Sequence, residues 1–422
     1  MAEFFHSVTL NPEECVGCTN CIKRCPTEAI RVRDGKAVIS PERCIDCGEC
    51  IRICPHHAKR ARSTHLSALS DFTYKIALPA PSLYGQFNNL DDIDYVLSGL
   101  KELGFDDVFE VSRAAELVSE ATRKLMVAGT VKRPIISSAC PAVVRLIRVR
   151  FPDLCDNVLP LKAPMETAAA LAKKEAAEKT GLPIEEIGCF FLTPCPAKVT
   201  DINMPLGLEK SSVDGAIAIS EIFPLLSHKM DHLESIEPMA NSGVIGVSWA
   251  TSGGESAALL NEKYLAADGI ENVIRVLEEV EDERIGELEF IELNACSAGC
   301  VGGVLCVENP YVAKARIQRL RRYLPISQNH LMGGPVPEYM EWEDELQFSN
   351  ALSLSTDLRK AMETMAQINT LVDELPGLDC GACGAPTCRA FAEDVVKGNC
   401  SLTDCVLISR NEMQKAEQEK GE

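Results

Sequence analysis

Most of the twenty cysteines stand two to four residues apart, close enough for one loop to wrap one metal centre. Cys15-x2-Cys18-x2-Cys21-x3-Cys25-Pro26 recurs as Cys44-x2-Cys47-x2-Cys50-x3-Cys54-Pro55. Runs of this form bind paired [4Fe–4S] clusters, three ligands coming from one run and the fourth from the other. Cys15, Cys18, Cys21 and Cys54 then hold one cluster, and Cys44, Cys47, Cys50 and Cys25 the second. A zinc module would want two cysteine pairs rather than two runs of four. His56 and His57, just after Cys54, read as solvated loop residues. Near the other end stands Cys380-x2-Cys383-x4-Cys388-x16-Cys405, a third ligand set, with Cys400 the competing fourth ligand.

A further group is scattered through the middle of the chain. Cys140, Cys195 and the pair Cys296 and Cys300 each follow a short apolar run. A Cys-x3-Cys pair cannot fill a four-coordinate site alone, so its partners must come from other loops. Apolar runs at 74–78, 107–111, 134–137, 188–192, 215–219, 244–248 and 288–293 read as strands. Between them lie helical patterns such as the Ala-rich 166–179, which Gly181 is placed to end. This alternation predicts a parallel α/β domain. Ligands in such sheets gather at the carboxyl ends of the strands, so the three Cys loops are placed to converge.

The totals bound the rest. A length of 422 residues favours two to four domains, and the 46% apolar fraction is ample for packed cores. The net charge of −20 argues against nucleic acid and against an anionic membrane surface. No apolar run approaches the roughly 18 residues of a membrane span. The opening Met-Ala-Glu-Phe-Phe-His has no basic stretch ahead of an apolar one, so no export signal is expected. We therefore expect a cytoplasmic, anaerobic setting in which clustered thiols are ligands rather than disulfides. The expected organisation is 1–70, 71–350 and 351–422, the last opening on an amphipathic helix at 351–375. Leu358, Met362, Met365, Val372 and Leu375 recur along that helix, for packing on its own domain or for a homodimer or partner helix. Residues 411–422 are charged and read as a helix end.

The first segment resembles a bacterial two-cluster ferredoxin over its whole length, which implies electron transfer. The tail resembles the small [4Fe–4S] domain of electron-transfer complexes and corrinoid Fe–S proteins, and that spacing selects Cys405 over Cys400. The middle of the chain, about 74–345, resembles the catalytic domain of [FeFe] hydrogenases. Its motif Thr-Ser-Cys-Cys-Pro stands here as Ser137-Ser138-Ala139-Cys140-Pro141, with Arg145, Asn157, Lys162 and Pro164 following. Met-Pro-Cys-x-x-Lys stands as Thr193-Pro194-Cys195-Pro196-Ala197-Lys198, and Asp201 is near an acidic family position. Met-Ala-Cys-x-x-Gly-Cys-x-x-Gly-Gly stands as Asn294-Ala295-Cys296-Ser297-Ala298-Gly299-Cys300-Val301-Gly302-Gly303. The resemblance implies a two-lobed parallel-sheet domain between the ferredoxin module and a small helical [4Fe–4S] domain.

It also implies an H-cluster. Cys140, Cys195, Cys296 and Cys300 would bind its [4Fe–4S] half, and Cys300 would bridge to a diiron half carrying CO, cyanide and an azadithiolate. Lys198 would hydrogen-bond a cyanide, and Ala80, Pro81 and Ser82 would contact the diiron ligands. The implied chemistry is heterolytic splitting of H2, the hydride going to iron and the proton to the bridge amine. Implied partners are H2 and protons, an electron-transfer or signalling protein, and maturation proteins.

The chain also departs from the family. The relay cysteine is Ala139 and the relay serine aligns with Leu159. Neither Glu116 nor Glu120 aligns cleanly with a relay glutamate. Thr193 and Asn294 replace two methionines beside the diiron site, Val143 replaces a tryptophan, and Val304-Leu305-Cys306 replaces the residues after the last glycines. Such departures mark the sensory, group D-like branch, and predict slow turnover and H2 sensing. Cys155, Cys189 and Cys306 read as core residues. Two alternatives stand beside this reading: an Fe–S assembly or scaffold protein, and an electron-transfer protein, each with this fold but without the diiron half.

Overall fold

Two packing units divide the chain in the computed structural model, which describes residues 5–421. Residues 1–4, part of the stretch read for an export signal, lie outside those described. The first unit holds Met1–Cys44, Glu49–Arg60 and Ser349–Glu422, and the second Ile45–Gly48 and Ala61–Phe348.

In the first unit, β1 (Val8–Leu10) pairs with β4 (Lys59–Ala61), and β2 (Ile30–Arg33) runs antiparallel to β3 (Lys36–Ile39). Asp34 and Gly35 join β2 to β3 with φ of 50° and 71°. That is the requirement of a two-residue hairpin whose twist matches its strands, and Asp-Gly meets it at low cost. The two cysteine runs share a backbone pattern. Gly17 and Thr19 flank Cys18 with φ of 67° and 64°, and Asp46 and Gly48 flank Cys47 with 52° and 80°. Left-handed residues on both sides of the middle cysteine curl each loop tightly. The tail packs as the helices Leu358–Glu374 and Cys388–Val396 around Ile368, Leu375 and Phe391. In the first of these, Leu358 and Met362 are exposed while Ile368 is buried. Only the second half of its apolar face is covered within the unit.

The second unit carries two parallel sheets. One has the order β6–β5–β8–β9, from β5 (Tyr74–Pro79), β6 (Asp107–Val108), β8 (Ile187–Thr193) and β9 (Gly215–Ala218). The other has the order β10–β11–β7, from β7 (Ile135–Ile136), β10 (Tyr264–Asp268) and β11 (Phe290–Asn294). Strand β8 is buried along its whole length, as expected when both faces of a parallel sheet are covered. Its alternation divides two cores. Ile187, Cys189 and Phe191 face Ala168, Ala169, Ala172 and Ala176 of the helix Pro164–Thr180. Phe190 and Leu192 face the core containing Leu97 and Leu100. The small alanines let the helix approach closely, and Gly181 ends it in the left-handed conformation at φ 72°.

Two expectations are corrected. Residues 244–248, expected as a strand, form the helix Val244–Ser248. An apolar run of five does not distinguish the two by itself, and here Gly246 lets the segment press on the backbone of Ser112 in the helix Val111–Ala128. The strand β10 was missed because it is a sheet edge with only partial burial, and its apolar run is the short Tyr264-Leu265-Ala266-Ala267. Among the described residues no helix is long and apolar enough to cross a membrane.

A Cβ on Gly246 would overlap the Ser112 carbonyl oxygen. Gly246→Val should therefore cost on the order of 1–3 kcal/mol, read as a lower urea midpoint. An unchanged midpoint would argue against this helix packing.

Candidate metal centre

The middle cysteines sit where parallel strands end. Cys140 follows β7 and caps the helix Pro141–Arg150, and Cys195 follows β8 and caps the helix Pro196–Asn203. In both, proline occupies the first helical turn, where its missing N–H costs nothing. Cys296 and Cys300 follow β11 in a loop closed by Gly299 N–H donating to the Cys296 carbonyl at 3.1 Å. This third loop locks onto the second. Leu305 N donates to the Pro194 carbonyl at 3.0 Å, and a Cβ on Gly303 would overlap that same oxygen.

Cys140, Cys195 and Cys300 lie near enough for their charges to act on one another. Burial pushes the Cys195 thiol up to about 12, and negative charge at Cys140 pushes the same way while Lys198 opposes it. Cys300 is also raised, by burial first and then by charge at Cys195 and Cys140. Thiols packed this way resist ionisation unless a cationic centre takes them as ligands. The donor set therefore fits a soft iron–sulfur centre.

Beside Cys300 lies a cavity leaving about 80 Å³ for the centres of water-sized molecules, more than one water needs. Ala80, Pro81 and Ser82, past the end of β5, form one wall, and Lys198 and Asn294 also line it. Lys198 is 8% exposed, and its ammonium donates to the Ala139 carbonyl at 2.9 Å. Ser82 is fully buried, and its hydroxyl has no hydrogen-bond partner among the described residues. Buried hydroxyls are normally paired, so this one fits a site whose bound group would accept from it.

Residues 73–304 match the family described as iron only hydrogenase large subunit, C-terminal domain. The chain belongs to this family. Residues 7–55 match a 4Fe-4S dicluster domain and residues 375–407 an Fe-S cluster domain. The chain is 27% identical over 257 residues to the NADP-reducing hydrogenase subunit HndD of Solidesulfovibrio fructosivorans, covering 49% of this chain and 44% of that protein. It is 30% identical over 212 residues to the periplasmic [Fe] hydrogenase large subunit of Nitratidesulfovibrio vulgaris, covering 46% and 50%. The chain thus spans about half the length of these curated relatives. A solved [FeFe]-hydrogenase structure, from work on oxygen inactivation at the H cluster 2Fe subcluster, matches with a TM-score of 0.51 at 15% identity. That match covers 67% of this chain and 98% of the other, and it speaks for the fold.

In this chain the expected relay positions Ala139 and Leu159 carry no titratable group. Ala139 lines the cavity, while Leu159 is 1% exposed in an apolar core with Ile135 and Phe290. Glu116 and Glu120 anchor loops instead. Glu116 accepts from Gly243 N and Asn329 N at 2.6 and 2.8 Å, and Glu120 from Leu331 N at 3.0 Å. Val143 is a buried core residue. Thr193 is fully buried and turns the loop, accepting from Cys195 N at 3.3 Å. Cys189 is buried in the core as expected, whereas Cys155 and Cys306 are half-buried at core edges.

What the sequence reading missed is a pair of buried glutamates in the cavity wall, Glu255 and Glu292. Glu292 accepts from Gly253 N, Ser256 N and the Asn294 amide, all at 2.9 Å. Among the described residues Glu255 is reached only by the Ser137 hydroxyl, at 2.7 and 2.8 Å. Burial pushes Glu255 up to about 8, and the charge of Glu292 adds to it. The better hydrogen-bonded Glu292 keeps the negative charge, and Glu255 keeps the proton. The signal available in the sequence was an acidic residue inside the buried strand β11.

The first of the two crossed cysteine sets lies within the first unit. Cys15, Cys18, Cys21 and Cys54 line one cavity together with Lys59. Lys59 is 2% exposed, and its ammonium has no hydrogen-bond partner among the described residues. A buried cation among four thiols fits a cluster whose thiolate complex is an anion. Burial raises Cys54, but the N–H groups of Lys59, His56 and Ala58 outweigh it and leave the thiol below its ordinary value. Of the second set, Cys25, Cys44 and Cys50 lie in the first unit and Cys47 in the Ile45–Gly48 loop of the second. The Cys25 sulfur accepts from Ala29 N at 3.2 Å. His56 and His57 are exposed. In the tail, Cys405 is buried while Cys400 is half-buried with its thiol raised to about 11, chiefly by burial.

Two outcomes follow from these buried charges. Lys59→Met removes a cation that favours the reduced cluster, so one ferredoxin cluster should fall in potential by ~60 mV or more, a tenfold change for one electron. A potentiometric titration followed by EPR reads this, and an unmoved potential would remove Lys59 from the site. Glu255 is protonated at neutral pH and loses its proton as the pH rises through about 8. Infrared difference spectra should show an acid C=O band that fades above that pH and is missing in Glu255→Gln.

Proposed function

We propose that this chain activates H2 reversibly at an H-cluster, turns over slowly, and serves as an H2 sensor that passes electrons through its [4Fe–4S] clusters. Three modules share the work: a two-cluster ferredoxin domain at 1–70, the H-cluster domain at 71–350, and a linking helix with a third cluster at 351–422. Cys140, Cys195, Cys296 and Cys300 hold the cubane half, and Cys300 also serves the diiron half. The observation that carries this reading is the cavity beside Cys300. It gathers a buried lysine and an unpartnered buried hydroxyl where an assembly or electron-transfer protein would need neither.

When bound, the diiron group supplies heterolytic H2 splitting. The protein supplies position, polarity and protons. Lys198, held at the wall by the Ala139 carbonyl, has remaining N–H donors for a cyanide, a charge-assisted contact that fixes the group's orientation. The Ser82 hydroxyl donates to a ligand beside it, and Ala80 and Pro81 close the same wall without competing donors. Asn294, tied to Glu292 at 2.9 Å, gives the cavity a polar face where efficient relatives have methionine. Glu255 holds one proton next to the cavity, with Ser137 as its hydrogen-bonding neighbour. Beyond that pair, Ala139 and Leu159 offer no onward step, and this supports slow turnover and sensing. Maturation proteins would install the diiron group, and an electron-transfer or signalling protein in an anaerobic cytoplasm would receive the electrons.

After maturation with the diiron group, infrared spectra should show CO and cyanide bands that shift under H2. Their absence after a maturation that works on another hydrogenase would leave the scaffold or electron-transfer reading. Cys300→Ala should lose those bands and keep the ferredoxin cluster signals. Glu255→Gln should keep the bands and lower turnover by about 10²-fold, the usual scale for a lost acid–base group; unchanged turnover would point to another proton route.

A further inference from the structure

The tail and the ferredoxin module are parts of one packing unit, and the contacts between them fall on the cluster-bearing loops. Val32 lines the cavity of Cys15, Cys18, Cys21 and Cys54. Its N–H donates to the carbonyl of Gly384, the residue after Cys383, at 2.8 Å. Arg33 donates to the Cys383 carbonyl at 3.4 Å, and Lys23, two residues past Cys21, donates to the Pro386 carbonyl at 2.7 Å. Gly384 has φ of 79°, and a Cβ there would overlap the Val32 carbonyl oxygen. The two backbones therefore meet with no side chain between them.

Charge fastens this seam. Asp394 is 7% exposed and takes Arg31 at 2.7 Å and Arg33 at 2.5 Å on the same oxygen. Both arginines come from β2, the strand that carries Val32. A second pair, Arg43 with Glu393 at 2.6 Å, stands beside it. Two guanidinium groups on one buried carboxylate fix a geometry, which a flexible tether between independent domains does not need.

We infer that the tail site (Cys380, Cys383, Cys388, Cys405) is built as the redox neighbour of the first ferredoxin site, with the Arg31–Asp394–Arg33 bridge holding the two in electron-transfer register. The transfer is of one electron, oxidising the first site's cluster and reducing the tail's, and no bond or proton moves. The inference rests on the [4Fe–4S] assignments proposed above and is independent of the diiron group.

EPR of the reconstituted full chain, reduced with dithionite, tests it. The two ferredoxin clusters broaden each other in every variant, so the comparison with Cys388→Ser, which lacks the tail cluster, isolates the tail. We expect additional broadening and faster relaxation of the ferredoxin signals in the unaltered protein, both lost in Cys388→Ser. Asp394→Ala and Gly384→Val should keep the cubane iron, counted by Mössbauer spectroscopy, and lose the added coupling. Ferredoxin signals identical with and without the tail cluster would overturn the inference while leaving the cluster assignments standing. Coupling undiminished in both seam variants would overturn the role given to the bridge. A tail without cubane iron in the unaltered protein would overturn the assignment and the inference together.

Discussion

Sulfur ligands for an iron–sulfur centre must be dry enough to keep water from the metal and close enough to share it, and thiols so placed do not ionise on their own. Burial and mutual repulsion raise Cys195 and Cys300 together. The same conflict appears at the ferredoxin site, where burial raises Cys21 and the neighbouring Lys59 opposes it. At both cavities buried thiols are thus held in tension until a cluster takes them, Cys54 excepted, whose neighbouring N–H groups leave it below its ordinary value. Much of the architecture can be understood as the means of holding these sites closed: parallel strands that deliver loops to one end, glycines that let those loops touch, and a buried lysine at each of the two cavities.

The lysines illustrate how one charge serves different chemistry by position. Lys59 stands among four thiols, its ammonium without a hydrogen-bond partner among the described residues, so its field falls on the whole set. Lys198 is anchored on the Ala139 carbonyl and lines the cavity beside Cys300, so its charge is tied to one wall. A third kind of charge control is the glutamate pair. Two carboxylates forced into one buried wall cannot both ionise, and their unequal hydrogen bonding decides which keeps the proton. Glu292 receives backbone N–H groups and the Asn294 amide, whereas Glu255 receives a single hydroxyl.

Loss of a family feature and gain of another are linked here through one position. Asn294, set against a methionine in the motif this loop resembles, lines the cavity, and its amide donates to Glu292. A methionine could not make that bond. The polar pocket and the buried acid pair are therefore one arrangement rather than two independent departures, and together they set a proton environment unlike one built on a cysteine and serine chain.

The sequence alone determined whatever depends on local spacing. The cysteine runs stood out because ligands sharing one short loop need fixed intervals, and the first crossed set, Cys15, Cys18, Cys21 and Cys54, lines one cavity. The Ala-rich helix ending at Gly181 was legible for the same reason, since a cap is a local event. Tertiary structure decided what depends on distant partners. Residues 244–248 are helical because Gly246 meets Ser112. Glu116 and Glu120 bind loop amides far along the chain. Glu255 and Glu292 matter only because two segments 37 positions apart, one a helix and one a strand, bury their carboxylates in the same wall. Burial and charge coupling are properties of the space around a side chain, and no interval in the sequence encodes them.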